Sequence, residues 1–541
     1  MGQPLRGMLA ACLLIQLPAQ MSAAAGFIRA HGQKFVDDDC KPFLATGVNT
    51  WELLEVAAGV AETRELHLSS GREMDMVQWT LASAAANSMN VMRMFAHGVR
   101  PDFPLQISPG EYNERAFQAL DHILNEAAKL GMRVIMALGD NWIAADSKPS
   151  YTNWSSSARA SKDPDIFFTD PSCRAMYKAH IRAMTHRRNS INGRLYKDDP
   201  AIFAWDLINE PRCNCFPSSW PPPESISSCR PECAHRLQAW MVEMSTYLKQ
   251  QDSRHMVTVG EEGFWATGAA REAANPGTGW ASMTGQNFSQ NMALPAIDFA
   301  AVHLWPDNWG DLELDFLESW VVEHGKEARE MGKPLMVEEF GKQVHMDTPR
   351  AIANLTSSRA IFYRRVYNVY RDSVARQDDL ISGLILWAYT PHVDRELFKE
   401  CRNCFAIQVT PTDFVFQDIV RPAAAAAQAA TRAAEPVKGC IPVPLKQRVR
   451  LSPHQPNLSR SWGGFTTLLN ALPSGKLQHK GQPGASPLSS VPVKGHSLAA
   501  ATSNLESAQV AGKHDQHSKL HHHQQQLAAH SPARRHLTSV Q

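Results

Sequence analysis

Ala201-Ile202-Phe203-Ala204-Trp205-Asp206-Leu207-Ile208-Asn209-Glu210-Pro211 reads as a β-prone, largely apolar run that ends in an amide, an acid and a proline. A second stretch repeats the plan: Pro334-Leu335-Met336-Val337 leads into Glu338-Glu339-Phe340-Gly341. An unpaired carboxylate at the end of a buried strand costs several kcal/mol, so an acid kept there implies a partner or a task.

Working outward, eight short β-prone runs follow one another: 42–50, 90–95, 133–140, 201–209, 256–261, 299–305, 334–339 and 383–389. Most are almost continuously apolar, as strands covered on both faces are. Amphipathic helical stretches lie between several of them. In 113–130, Phe117, Leu120, Leu124 and Ala127 share one face, and Gly131 supplies a stop. This alternation predicts an α/β fold, a (β/α)8 TIM barrel. A doubly wound open sheet would carry a Gly-rich first turn, which is missing.

Barrel chemistry gathers at the C-terminal ends of strands. Here those ends carry Asn49, Arg93, Asn141, Asn209 with Glu210, Glu261, His303 with Trp305, Glu339, and Trp387. Glu210 and Glu339 would face each other over one pocket. Paired carboxyls are what cleavage of a glycosidic bond requires, one as acid and one as attacking group. Glu338 and Glu339 compete for the second place. Alternation puts them on opposite faces, so one of the two is expected to meet the helical layer or solvent. Periodicity alone does not choose between them.

Arg93 sits in the apolar run Val91-Met92-Arg93-Met94-Phe95 and is expected to pair with the attacking carboxylate. Asn209 is a candidate donor to a sugar hydroxyl, or else a turn-capping amide. His303 is a candidate bridge between the two acids. Trp142, Trp305, Trp309 and Trp387 offer faces on which sugar rings could stack.

The wider composition agrees with this reading. With 44% hydrophobic and 20% charged residues the chain is globular, and a formal net charge of +1 points to neither nucleic acid nor an anionic membrane. Arg6, the apolar Met8–Leu17 and Ala23-Ala24-Ala25 read as a signal peptide over 1–25, implying a secreted protein, extracellular or in a cell wall. After its removal no membrane contact is expected. Of ten cysteines, Cys12 would leave with the signal; Cys213, Cys215, Cys229 and Cys233 cluster, as do Cys401, Cys404 and Cys440. Oxidising export favours disulfides over a zinc site. Sequons begin at Asn153, Asn287, Asn354 and Asn457. The catalytic domain is expected over 26–420. The remainder, 421–541, is alanine-rich and then dominated by Ser, Pro, Gln, His and Lys, with a His521-His522-His523 run; its composition predicts a disordered tail.

A set of motifs resembles the plant and fungal type of endo-β-1,4-mannanase in glycoside hydrolase family 5. They are Gly47-Val48-Asn49-Thr50-Trp51, Asn90-Val91-Met92-Arg93, Leu105–Gly110 with Tyr112 and Glu114-Arg115, Tyr196–Pro200, Trp205–Cys213, Glu262-Gly263-Phe264, Ile297–Ala300, His303–Trp309 and Glu339–Lys342. The resemblance covers roughly 26–406. It implies a (β/α)8 barrel that cleaves internal β-1,4 bonds of mannan, glucomannan or galactomannan by a retaining double displacement. No cofactor and no metal are expected, and a monomer acting on a polysaccharide is expected. By resemblance Glu210 is the acid/base and Glu339 the nucleophile, supported by Asn209, Arg93 and His303, with Trp387 as the sugar platform. Another β-1,4-glycanase, such as a glucanase, or a non-catalytic wall-binding protein are the alternatives.

Three positions depart from the family pattern. Trp305 stands where many relatives have tyrosine, which implies a lost hydrogen bond to the nucleophile. The loop after Asn141-Trp142 lacks a Gly-Gly pair, which bears on contacts to the sugar. The insertion between Cys215 and Cys233 could reshape the cleft rim.

Overall fold

The computed structural model describes residues 26–448, except 61–71, 143–144, 162, 164, 214–231, 278, 311–312, 343–348, 391–407 and 412. Eight strands form the barrel: β1 (Ala45–Asn49), β2 (Val91–Phe95), β3 (Arg133–Ala137), β4 (Ile202–Asn209), β5 (Met256–Gly260), β6 (Ala300–Leu304), β7 (Leu335–Phe340) and β8 (Gly383–Leu386). Each lies within, or within one residue of, a run expected from the sequence. They pair in parallel in the order β6-β7-β8-β1-β2-β3-β4-β5. The seam between β5 and β6 is bridged by Asp298 N–H to the Val257 carbonyl (2.8 Å) and His303 N–H to the Glu262 carbonyl (3.3 Å).

Side-chain alternation divides the core in two. Ala45, Val91, Ile135, Phe203, Met256, Ala301, Met336 and Ile385 fill the lower lumen with Phe35. Phe35 comes from a hairpin, Arg29–His31 with Lys34–Val36, and meets Phe203 and Phe299 edge-on at 5.1 and 5.3 Å. That ring cluster plugs the bottom of the barrel. The opposite residues, such as Met92, Val134, Leu207 and Val337, pack under the helices. The helix expected near 113–130 spans Glu114–Lys129; Asn113 caps it through the N–H groups of Arg115 and Ala116, and Gly131 ends it at φ +70°.

Two breaks in register matter for function. Asp206 pairs with Thr258 and Asn209 with Gly260, three residues of β4 against two of β5. Val302 pairs with Val337 and His303 with Glu339, two residues of β7 against one of β6. Such bulges shift the phase of alternation and re-aim side chains near a barrel rim.

The expected boundary at 420 differs from the observed chain. Residues 421–433 form a helix, Arg421–Ala433, with Pro422 in its first turn and Ala423, Ala424 and Ala427 buried. Beyond it the backbone follows the N-terminal segment: Val437 N–H reaches the Cys40 carbonyl and Val443 N–H the Asp38 carbonyl, both at 2.8 Å. A disulfide, Cys40–Cys440, joins the two segments, and a second joins Cys213 to Cys233; Cys173 is a buried thiol. Alanine suits both a helix and a tail, and composition missed the partner surface that decides between them.

The signal segment, Cys215, Cys229, Cys401, Cys404, the sequon at Asn457 and the histidine run lie outside the described residues. Among the described residues no helix is long and apolar enough to cross a membrane.

Candidate active site

Arg93 is the centre of the upper lumen and is fully buried. Its Nη1 donates to Glu339 Oε1 at 2.5 Å and to Asn49 Oδ1 at 3.3 Å. Its Nη2 donates to Asp206 Oδ2 at 2.7 Å and to Asn209 Oδ1 at 2.8 Å. Burial opposes the guanidinium charge, but Glu338, Glu339 and Asp206 outweigh it and hold Arg93 ionised. The β4 bulge explains how Asp206 and Asn209, three residues apart, reach one guanidinium. Gly260 leaves the space: a Cβ there would lie 2.7 Å from Asp206 Oδ2 and 2.8 Å from Arg93 Nη2.

Asn209 is committed on both sides, its Nδ2 donating to Asp140 Oδ1 at 2.8 Å. The next residue, Glu210, takes φ +46°, a left-handed conformation that costs a non-glycine residue about 1 kcal/mol or more. Its N–H is tied to the Gly260 carbonyl at 2.6 Å. This turn carries the Glu210 side chain over the barrel mouth, where Oε2 accepts from Trp142 Nε1 at 2.7 Å and Oε1 lies 2.8 Å from His303 Nδ1.

His303 Nδ1 is also 3.5 Å from Glu339 Oε2, so the imidazole lies between the two acids. Burial, then Arg93, pushes its pKa down to about 3, which keeps the ring neutral. The three groups present one oxygen of Glu210, one nitrogen of His303 and one oxygen of Glu339 within 4.8 Å of one another. The two acids and the imidazole therefore open on one shared volume.

Trp305 Nε1 donates to Glu339 Oε2 at 3.2 Å. The hydrogen bond that the tyrosine-to-tryptophan departure was expected to remove is therefore made by the indole. Trp387 is half-buried beside Phe95 and Trp305, with ring centroids 5.8 and 6.0 Å away. Together with Trp142 these rings give the mouth an aromatic wall. Trp309 packs with Phe264 and Trp320.

Other strand-end residues do not join the cluster. Asn141 Oδ1 accepts from Lys148 Nζ at 3.2 Å, and Glu261 is buried against Asn291 Nδ2 at 2.6 Å. Glu338 corrects the expectation that one of the acid pair meets the helices or solvent. It is fully buried, 3.6 Å from Arg93 Nε and 4.0 Å from His303 Nε2. The bulge on β7 breaks the alternation on which that expectation stood, so both glutamates turn inward.

Electrostatics tighten around Glu339. Burial raises its pKa well above the ordinary carboxylate range; Arg93 opposes this, and Glu210 and Glu338 add to it. The surroundings therefore work against the ionised form of Glu339, and Arg93 with Trp305 are the groups that favour it.

Sequence reasoning passed over Asp206, although the argument used for Arg93, a charge inside an apolar strand, applies to it equally. Arg212 was also passed over as a site group. It pairs with Glu262 and lies over the Trp142, Phe264 and Trp280 rings at 5.1–5.6 Å.

Comparison with known proteins gives the family and the fold. Residues 25–400 match the family described as GH family 5 beta-mannosidase-like. Mannan endo-1,4-beta-mannosidase 1 of Arabidopsis thaliana is 33% identical over 379 residues, covering 68% of this chain and 83% of that protein. A rice protein of the same name is 33% identical over 384 residues, covering 69% and 81%. The crystal structure of the endo-1,4-beta-mannanase from Rhizomucor miehei superposes with a TM-score of 0.57 at 23% identity, covering 75% of this chain and 99% of that one, a likeness of fold.

Proposed function

The chain belongs to the β-mannosidase-like enzymes of glycoside hydrolase family 5, and from that membership we propose that it hydrolyses internal β-1,4-mannosidic bonds of mannan, glucomannan and galactomannan with retention at the anomeric carbon. The observation that carries this reading is the spacing of Glu210 and Glu339, whose nearest acid oxygens lie within 4.8 Å.

In this mechanism Glu210 protonates the departing glycosidic oxygen while Glu339 attacks the anomeric carbon, forming a glycosyl ester. Glu210 then takes a proton from water as the water displaces Glu339, closing the cycle with the original anomer. Arg93 and Trp305 hold the two oxygens of Glu339 as acceptors and orient its attack. His303 lies between the acids, and Trp142 orients Glu210. Trp387, with Trp305 and Trp142, supplies faces for pyranose rings, and Asn209 fixes the Glu210 turn through Arg93 and Asp140. Secretion is part of the proposal; it is consistent with the two disulfides, which persist in oxidising compartments.

The test is incubation of the full chain with mannan, with carboxymethyl cellulose and with defined manno-oligosaccharides, following reducing ends and the anomer first released by NMR. Rapid appearance of short manno-oligosaccharides in the β form is expected. Equal or greater activity on the cellulose derivative would overturn the mannan assignment, and first release of the α form would overturn retention.

A further inference from the structure

Glu338 is a buried acid for which the mechanism above has no use. Neither of its side-chain oxygens has a hydrogen-bond partner among the described residues, and the same holds for Arg93 Nε and His303 Nε2. These four orphaned atoms face one another: Glu338 Oε1 lies 3.6 Å from Arg93 Nε, and Oε2 lies 4.0 Å from His303 Nε2. Four unsatisfied polar atoms in one buried spot are rare in native proteins and call for an explanation.

We propose that Glu338 is a positioning residue that carries a proton beneath the site and directs it toward His303 Nε2, fixing the imidazole as the tautomer whose Nδ1–H points at Glu210. The inference rests on the catalytic reading of Glu210 and Glu339 given above.

Counting donors decides which acid holds the proton. One guanidinium serves three buried carboxyls, so the three cannot all be ionised at low cost. Asp206 accepts from Arg93 and from the Gly260 N–H at 2.7 Å. Glu339 accepts from Arg93 and from Trp305. Glu338 accepts no side-chain hydrogen bond, and its 3.6 Å approach to Arg93 is too long for one. The groups that face it are Arg93 from β2, Asp206 from β4, His303 from β6 and its neighbour Glu339; β1 contributes the Asn49 amide, which donates to the Glu338 carbonyl at 2.9 Å. Burial pushes Glu338 up to about 8, with Arg93 opposing and Asp206 adding, and it also raises Glu339 well above the ordinary carboxylate range; the two donors that Glu339 has and Glu338 lacks set the acids apart.

A protonated carboxyl needs an acceptor, and a neutral imidazole offers one on a single nitrogen. His303 Nδ1 faces two acidic oxygens, which suit its N–H; the lone pair then falls to Nε2, on the Glu338 side. The proposed hydrogen bond requires the Glu338 carboxyl to close the 4.0 Å separation from His303 Nε2. With the tautomer fixed, Nδ1–H donates to Glu210 and spares it direct repulsion from Glu339.

Two measurements test this. In the full chain labelled with 15N-histidine, His303 is assigned as the ring signal missing from His303→Gln. A protonated Nδ1 with a pyridine-like Nε2 is expected; a protonated Nε2 overturns the proposal whether or not the protein cleaves mannan. Second, Glu338→Gln, an uncharged donor of the same shape, is compared with Glu338→Leu on a manno-oligosaccharide. We expect Gln to keep kcat within about threefold and Leu to lose about tenfold or more, with KM within about twofold for both. Equal damage by Gln and Leu would mean that Glu338 works as an anion, and an undamaged Leu variant that it positions nothing. Should the Leu variant fail to fold, the ring tautomer in the unaltered chain still decides.

Discussion

The indole N–H of Trp305 donates to Oε2 of Glu339 across 3.2 Å, while Arg93 holds the other oxygen of the same carboxyl at 2.5 Å. Glu339 is thus gripped from both sides, by a donor that cannot ionise and by a permanent cation. Trp305→Phe keeps the ring and deletes the donor. We expect kcat to fall about tenfold, the value of one hydrogen bond to a charged group, with Trp305→Tyr recovering part of it. Steady-state kinetics on a manno-oligosaccharide check this, and a fully active Phe variant would show that the bond is idle.

The two acids can be separated by leaving group. Glu210→Gln and Glu339→Gln should each lower kcat on mannan by at least about 10²-fold. On an aryl mannoside with an activated leaving group, Glu210→Gln should still release the phenol, which needs no proton, whereas Glu339→Gln should not. Burst kinetics distinguish them; an unchanged rate for either variant on mannan would remove that residue from the mechanism.

Arg93 touches Glu339, Asp206, Asn209 and Asn49 through one planar fork. A lysine cannot make those contacts together. Arg93→Lys should lose about 10²-fold or more in kcat, and Arg93→Met should also unfold earlier in urea, by about 3–5 kcal/mol, because it leaves buried carboxylates unpaired. Comparable stability of the Met variant and the parent would mean that the acids neutralise themselves without the guanidinium.

Buried titratable groups give stability a definite pH dependence. Burial raises Glu55 and Glu261 to about 8 and Asp146 to about 7, so the folded chain keeps protons that the unfolded chain releases near pH 4 to 4.5; their contribution is full below about pH 4, falls as pH rises from there, and is lost above 7 to 8. Burial lowers His97, His180 and His324 to about 4, so their contribution falls as pH drops from about 6.5 through 4. The two sets oppose each other between about pH 4.5 and 6.5. Tm should be highest there and lower at pH 8.5, and Glu55→Gln, which keeps the acceptor for the Val99 N–H, should flatten the alkaline fall. A Tm that climbs steadily to pH 8.5 would contradict this.

The Cys40–Cys440 bridge joins positions 400 residues apart and fastens the 434–448 segment to the N-terminal hairpin region. Replacing both cysteines by serine should cost about 2–5 kcal/mol in urea unfolding and leave mannan cleavage intact, since the bridge lies away from the barrel mouth. An unaltered midpoint would mean that the segment adds nothing to the domain.

Much of this architecture is legible in the chain itself. Eight apolar runs, each ending in a polar or aromatic residue, specify strands covered on both faces and a functional rim, because burying a charge without a use is costly. Glu210 and Glu339, which the structure brings together in the candidate site, stood out for the same reason, and by that argument Asp206 should have. Tertiary structure decided what period-two reading cannot reach. Bulges in β4 and β7 turn Asp206 with Asn209, and Glu338 with Glu339, toward one guanidinium, and a bulge depends on the register of a neighbouring strand far away in sequence. The same holds for the helix Arg421–Ala433: alanine composition allows helix or coil alike, and only the surface it packs on chooses.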